Sequence, residues 1–269
     1  MRRAAADARR GPRGGLIARR LRELGIVFSL ALLAGATALR APHFATAANA
    51  ERILLDISLL LIVATGQTII VLTRNVDLSV GSTLGLAGIL VGFHLKDHPG
   101  LPVAAILGAA AFLGAALGAL NGALVAWGRV PSIIATLGTL TMYRGLVFIR
   151  SGNQQVNPQD LPAQLLAIAR PGRLGLPGVV LVAFAVAVAA GLFLRWTRSG
   201  RALYAIGSNP EAARLRGIRI EPLLFGAFVL SGTLAGLSGA LYAARFATVN
   251  PASAGLGVEL QAVAATGIG

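Results

Sequence analysis

Residues 102–127 read PVAAILGAAAFLGAALGALNGALVAW, an unbroken run without a charged side chain. A helix needs about 20 mostly apolar residues to cross the hydrocarbon of a bilayer. One that is apolar on every side must be covered by protein or lipid. Within the run, glycines fall at 114, 118 and 122. Fourfold spacing puts them on one helix face, where a second backbone can come close; in lipid such close approach drives helix association. The stretch predicts a membrane-spanning α-helix pressed against a neighbour.

The same reading extends in both directions. Apolar runs at 24–40, 53–73, 82–95, 132–149, 174–195 and 222–244 add six further candidate spans, of which 24–40, 82–95 and 132–149 are short. Small-residue spacing recurs at Gly81 and Gly85, Gly88 and Gly92, and Gly232 and Gly236. The expected fold class is all-α, a polytopic transmembrane helix bundle of about seven spans. Residues 1–23 form a basic cytoplasmic tail and residues 24–269 the transmembrane domain. Charged residues make up only 13% of the 269, against about a quarter in soluble domains.

Placement of charge orients the chain. The net charge is +14, and Lys96 is the only lysine among 24 basic residues. The arginines cluster at the ends of apolar runs, as cytoplasmic flanks do, which argues against nucleic acid as a partner. With the N-terminus inside, the inner segments 1–23, 74–81, 128–131 and 195–221 carry 16 basic residues and the outer ones 6. The chain therefore reads as a multi-pass membrane protein, in contact with lipid, with a cytoplasmic N-terminus. Eight arginines before residue 24, an apolar run, and Ala47-Ala48-Asn49-Ala50 together imitate a signal peptide. Further spans follow at once, so an uncleaved anchor is the better reading.

Several chemistries are excluded. Without cysteine there is no disulfide, thiolate ligand or thiol nucleophile. A phosphate-binding loop needs a lysine after glycine, and Lys96 follows Leu95. Gly236-Leu237-Ser238-Gly239 imitates a nucleophile turn, but a serine needs a base. His43, His94 and His98 all lie far upstream, near predicted outer ends of spans. No catalytic residue, metal or cofactor is expected in this chain.

Two polar segments carry the candidate function. In Thr73-Arg74-Asn75-Val76-Asp77-Leu78-Ser79-Val80-Gly81-Ser82, a break between apolar runs brings an ionisable group, Asp77, near the membrane. Irregular backbone at that depth must be covered by protein or line a water-filled cavity, and such a carboxylate is a functional candidate. An ordinary loop in which Asp77 and Ser79 cap the next helix fits the spacing equally well. The second segment, 195–221, contains Gly207-Ser208-Asn209-Pro210-Glu211-Ala212-Ala213-Arg214-Leu215-Arg216-Gly217. Asn209 suits an N-cap, Pro210 the first helical position, Glu211 the positive end and Gly217 the stop. A short rigid helix in a cytoplasmic loop has little core to bury, so it suits docking onto a soluble partner; the rival reading is an arginine-rich loop on lipid headgroups. Asp56, Gln67, Thr68, Asn121, Thr136, Thr139, Thr141 and Arg144 lie in or beside spans, where such groups commonly bond to neighbouring helices. Asp56 and Arg144 lie near enough to span ends to be solvated.

With these segments the chain resembles the ribose-type permeases of ABC importers, the group that includes permeases for ribose, xylose, rhamnose and autoinducer-2. The matching stretches are Gly66-Gln67-Thr68 through Asp77-Leu78-Ser79-Val80-Gly81-Ser82, Asn121-Gly122 through Ala135-Thr136-Leu137-Gly138-Thr139, and Gly200-Arg201-Ala202-Leu203-Tyr204-Ala205-Ile206-Gly207 through Gly217. They cover roughly residues 50–269, and Tyr143-Arg144-Gly145 looks most like the rhamnose and autoinducer-2 members. The resemblance implies an ATP-driven importer taking a sugar or sugar-like solute from a periplasmic binding protein, with a second permease subunit and cytoplasmic ATPases that bind ATP and magnesium. It implies that Asn209, Pro210, Glu211, Ala212, Ala213 and Gly217 contact the ATPase. Gln67, Asn75, Asp77, Ser79, Asn121, Thr136 and Thr139 are the translocation-pathway candidates. Relatives continue beyond a glycine-rich segment that Ile268-Gly269 only begins, so the chain reads as C-terminally truncated. The alternative is an ion-coupled secondary transporter of small polar solutes, which also uses broken helices.

Overall fold

The computed structural model describes residues 12–41, 43–172 and 175–268. Helices in chain order are α1 (Pro12–Arg40), α2 (Ala47–Val71), α3 (Val80–Asp97), α4 (Val103–Ala126), α5 (Ser132–Ser151), α6 (Ala163–Ala167), α7 (Gly178–Trp196), α8 (Arg198–Ser208), α9 (Pro210–Leu215), α10 (Ile220–Phe246) and α11 (Val258–Ile268), with a 3-10 turn at Pro158–Asp160. No extended strand forms among the described residues, only the isolated bridges Val156–Val249 and Pro171–Pro177. The expected all-α class holds.

The chain falls into two units, residues 1–53 and 54–269. In the first, α1 takes up residues 12–23 of the expected basic tail; residues 1–11 lie outside the described residues. From Leu24 onward its apolar side chains, including Val27, Phe28 and Leu33, are exposed within this unit, a surface of the kind lipid covers. Ala47–Ala50, the cleavage-like stretch, forms the first turn of α2.

In the second unit, α10 runs through the centre, packed along α4 and α3. The α4–α10 seam is built from absent side chains. A Cβ at Gly114 would meet the Gly232 carbonyl and the Gly236 Cα, and one at Gly118 would meet the Phe228 carbonyl. From the other side, Gly232 and Gly236 face Gly114 and Ala110 in the same way. Backbone rests on backbone, as the spacing in residues 102–127 leads one to expect.

Each of the seven expected spans falls on a helix. Five of these, α2, α4, α5, α7 and α10, are long and apolar enough to cross a membrane among the described residues. The residues of α1 after its basic half form a shorter apolar helix, Leu24–Arg40. The remaining helix, α3, is diluted by glycine, Ser82 and Thr83 and ends in His94, Lys96 and Asp97. Nearly every residue from Val80 to Gly92 is buried, so α3 is clothed by protein and needs no lipid-compatible surface. Helix α7 is the reverse, burying only Val179 and Ala183 while Phe184, Val188 and Leu192 stay exposed.

Gly81, Gly85 and Gly92 of α3 have different partners from the glycines of α4. After α10 the chain does not leave the bundle but runs back along α3 as an irregular segment, 247–257. Val249 exchanges both backbone hydrogen bonds with Val156, at 3.0 and 3.1 Å, and its side chain lies against Gly88. The Ala254 carbonyl sits on Gly85 and the Gly255 carbonyl on Gly81. Gly255 and Gly257 hold φ of +71° and +79°, where side chains are disfavoured. At Gly81 and Gly85 the expected helix-to-helix approach is therefore helix-to-loop, Gly88 keeps a helix partner in the Gly239 carbonyl of α10, and Gly92 accommodates the Val156 side chain.

Candidate functional site

Between α2 and α3 lies the connector 72–79, and four pathway candidates meet around its end. Asp77 is 1% exposed. Its Oδ1 accepts from the Ser79 amide at 2.9 Å and from the Ser79 hydroxyl at 2.7 Å. Ser79 Oγ accepts in turn from Asn121 Nδ2 of α4 at 2.7 Å. Gln67 of α2, with its amide nitrogen toward the Asp77 carbonyl, donates to it at 3.1 Å and accepts from the Asp77 amide at 3.2 Å. This orientation is the one that satisfies both groups. Gln67, Asp77, Ser79 and Asn121 thus form one buried knot that ties α2, the connector, α3 and α4 together.

Burial raises the Asp77 carboxyl above its ordinary range, while the hydroxyl and amide of Ser79 pull it down. Ser79 occupies the N-cap position of α3 but makes no side-chain cap. Its hydroxyl is spent inside the knot, so Ser79 does not cap α3, whereas Asp77 does accept from the Ser79 amide at the helix start and so both caps and joins the knot. One acceptor in the knot, Asn121 Oδ1, is buried without a partner. A buried polar atom left unpaired costs about 1–3 kcal/mol.

The other candidates stand apart from the knot. Asn75 is half-buried, donates to the Thr73 carbonyl and hydroxyl at 2.9 and 3.1 Å, and lines a polar cavity of about 520 Å³ shared with Arg129, Ser132, Arg214 and Glu221. Thr136 and Thr139 are buried, but their hydroxyls turn back on α5, to the Ser132 and Thr136 carbonyls at 2.8 and 3.3 Å. Ser132 Oγ accepts from the Val76 amide at 3.3 Å, linking α5 to the connector.

In the second segment, Asn209 caps α9, its side chain accepting from the Ala212 amide at 3.1 Å. Pro210 opens the helix, Glu211 lies in its first turn, and Gly217 follows its end at φ +77°. Ala213 is buried with Ile206 and Ile220 in a small core of their own. Glu211, Ala212 and Gly217 are exposed, as is Leu215 at 90%. Arg214 bridges Glu221 at 3.1 Å.

Three features escaped the sequence reading. Helix α8 precedes α9, with Thr197 as its cap accepting from the Gly200 amide at 2.9 Å; the Thr-x-x-Gly start was its signal. The arginines of 195–221 hid it by reading as loop. Arg74, in the connector at φ +62°, donates to the carbonyls of Gly207 and Ser208 at the end of α8 at 2.5 and 2.6 Å. Arg144 is not free at a span end: it donates to the Ala254 carbonyl at 2.8 Å and holds the segment 247–257. Asp56, half-exposed, pairs with Arg245 at 3.2 Å. Ser238 is fully buried and donates to the Leu59 carbonyl at 3.2 Å, a packing role.

A family model described as branched-chain amino acid transport system / permease component matches residues 49–269. Among curated proteins, the autoinducer 2 import system permease protein LsrC of Salmonella paratyphi B is 38% identical over 211 residues, 78% of this chain and 60% of that protein. LsrC of Salmonella typhimurium is 38% identical over 211 residues, 78% of this chain and 59% of its own length. LsrC of Escherichia coli strain K12 is 37% identical over 211 residues, 78% and 60% respectively. The chain therefore spans about three-fifths of the length of these relatives. No solved structure matches.

Proposed function

This chain belongs to the permease-component family of branched-chain amino acid transport systems, and from that premise we propose that it is a transmembrane subunit of an ATP-driven importer. It moves a sugar or sugar-like solute, handed over by a periplasmic binding protein, into the cytoplasm. The relatives named for autoinducer 2 import make autoinducer 2 the first solute to try. A second permease subunit, of the same or a sister chain, completes the pathway, and a separate ATPase supplies the energy. The protein lies in a bacterial inner membrane with its N-terminus and the segment 195–221 in the cytoplasm.

The observation that carries this reading is α9. A six-residue helix, capped at both ends, rests through Ala213 on the buried Ile206 and Ile220 and leaves Glu211, Ala212 and Leu215 exposed. So small a helix buries little beyond Ala213, and it suits a handle for a soluble partner. Asn209, Pro210, Glu211, Ala212, Ala213 and Gly217 form the ATPase-coupling surface. Gln67, Asn75, Asp77, Ser79, Asn121, Thr136 and Thr139 remain the pathway residues, with Asn75 nearest open space.

The test is reconstitution of the full-length permease with its ATPase and binding protein in liposomes. ATP hydrolysis rises when binding protein loaded with autoinducer 2 or a sugar is added, and the solute accumulates inside. Solute uptake driven by an ion gradient, with no ATPase present, would favour ion-coupled transport and overturn the reading.

A further inference from the structure

A handle that docks a partner is useful only if its movement reaches the membrane part of the protein. Arg74 supplies such a connection. Its guanidinium reaches across 133 positions of chain to donate to the Gly207 and Ser208 carbonyls. These lie in the last turn of α8, where carbonyls lack helical partners of their own, and Asn209, the cap of α9, follows directly. Close contact reinforces the clamp. A Cβ at Gly207 would fall on the Leu72 carbonyl, so α8 ends pressed against the start of the connector. Arg74 itself holds φ +62°, a region that residues with side chains enter at a cost.

From Arg74 to Asp77 the connector has little slack. Asn75 is tied to Thr73, and the Val76 amide is tied to Ser132 of α5. Asp77 then enters the knot with Gln67, Ser79 and Asn121. A displacement of the α8 end therefore meets a pinned connector three residues from a buried carboxylate. Packed, hydrogen-bonded elements of this kind carry energetic coupling between sites. Resting on the importer reading above, we propose that Arg74 is the positioning residue that passes movement of the α8–α9 handle to the knot at Asp77.

These 269 residues hold no cysteine, so, with any cysteine elsewhere in the full-length permease replaced by serine, a single Thr83→Cys in the buried first turn of α3 serves as reporter. The full-length permease carrying it is assembled with a cysteine-free ATPase in nanodiscs. The rate of modification by a small hydrophilic thiol reagent is then measured with and without ATP and vanadate. With Arg74 present, nucleotide changes the rate. In Arg74→Ala the nucleotide effect shrinks by about fivefold or more, the scale of a typical coupling between sites, while the complex still hydrolyses ATP. Gly207→Ala has the same effect by pushing α8 off Leu72, and Arg74→Lys, which keeps the charge but not the two-pronged grip, falls between. If Arg74→Ala does not assemble with the ATPase, Arg74→Lys decides. A full nucleotide effect in the variants that assemble overturns the clamp and leaves the importer intact. An assembly that hydrolyses no ATP even with Arg74 in place overturns both.

Discussion

Two regions of the second unit are equally buried and are held together by opposite means. Along α4 and α10, Gly114, Gly118, Gly232 and Gly236 bring backbone onto backbone, with nothing polar from side chains. A turn or so further along α4, Asn121 enters a knot made almost wholly of polar side chains, with Gln67, Asp77 and Ser79. The seam relies on shape, and shape cannot be adjusted by moving one atom. The knot relies on hydrogen bonds, each of which can be exchanged for another. A dispersion contact between carbonyl and Cα does not offer that choice. The seam therefore holds the bundle by contacts that cannot be traded, and the knot by contacts that can.

The sharpest way to break the contrast is Gly232→Leu. Its side chain would have to occupy the Gly114 carbonyl and the Gly118 Cα; overpacking typically costs about 1–3 kcal/mol and occasionally more, and backbone that cannot yield puts this variant at the upper end. Loss of monodisperse protein in detergent is the expected outcome, and a stable, monodisperse variant would show that the seam can open. Asp77→Leu comes next. It leaves the Ser79 amide and hydroxyl without their acceptor, at about 1–3 kcal/mol, and lowers the unfolding midpoint followed by tryptophan fluorescence. Asp77→Asn keeps the acceptor oxygen and should recover most of that loss; equal damage from both variants would mean that the carboxylate charge, not the hydrogen bonds, holds the knot.

Asn209→Ala lies outside both regions and removes the α9 cap, worth about 1 kcal/mol. Faster tryptic cleavage at Arg214 and Arg216 is the readout, with the midpoint of the whole protein unmoved; a global shift would mean that α9 is part of the core. Thr136→Val has the smallest expected effect, within about 0.5 kcal/mol. Its hydroxyl bonds only within α5, so a larger loss would place Thr136 in the knot after all.

The sequence revealed the helices better than it revealed their partners. Residues 102–127 disclosed both a span and its glycine face, because period and composition are local properties. The α9 boundaries were equally plain in Asn209, Pro210 and Gly217, where capping chemistry is written in adjacent residues. The partner of Gly81 and Gly85 was not legible. Their spacing promised a helix, and the structure supplies the loop 247–257 and, at Gly81, the Glu259 carboxylate of α11 as well, since a glycine face states only that something comes close. Gln67, Asp77, Ser79 and Asn121 were each named from polarity alone, but nothing in their spacing could join Ser79 to Asn121 42 positions away. Arg74 was passed over for a related reason: an arginine beside a span looks like a flank, and its partners are backbone carbonyls that no sequence pattern displays.

The sheathing of α3 carries a consequence for the bilayer. Helices such as α7, with most of their surface bare, must tilt or strain when hydrocarbon thickness changes. α3 has almost no surface on which acyl chains could act. The knot at its first turn is thereby insulated from lipid composition, and thinning or thickening of the membrane reaches it only through the outer helices.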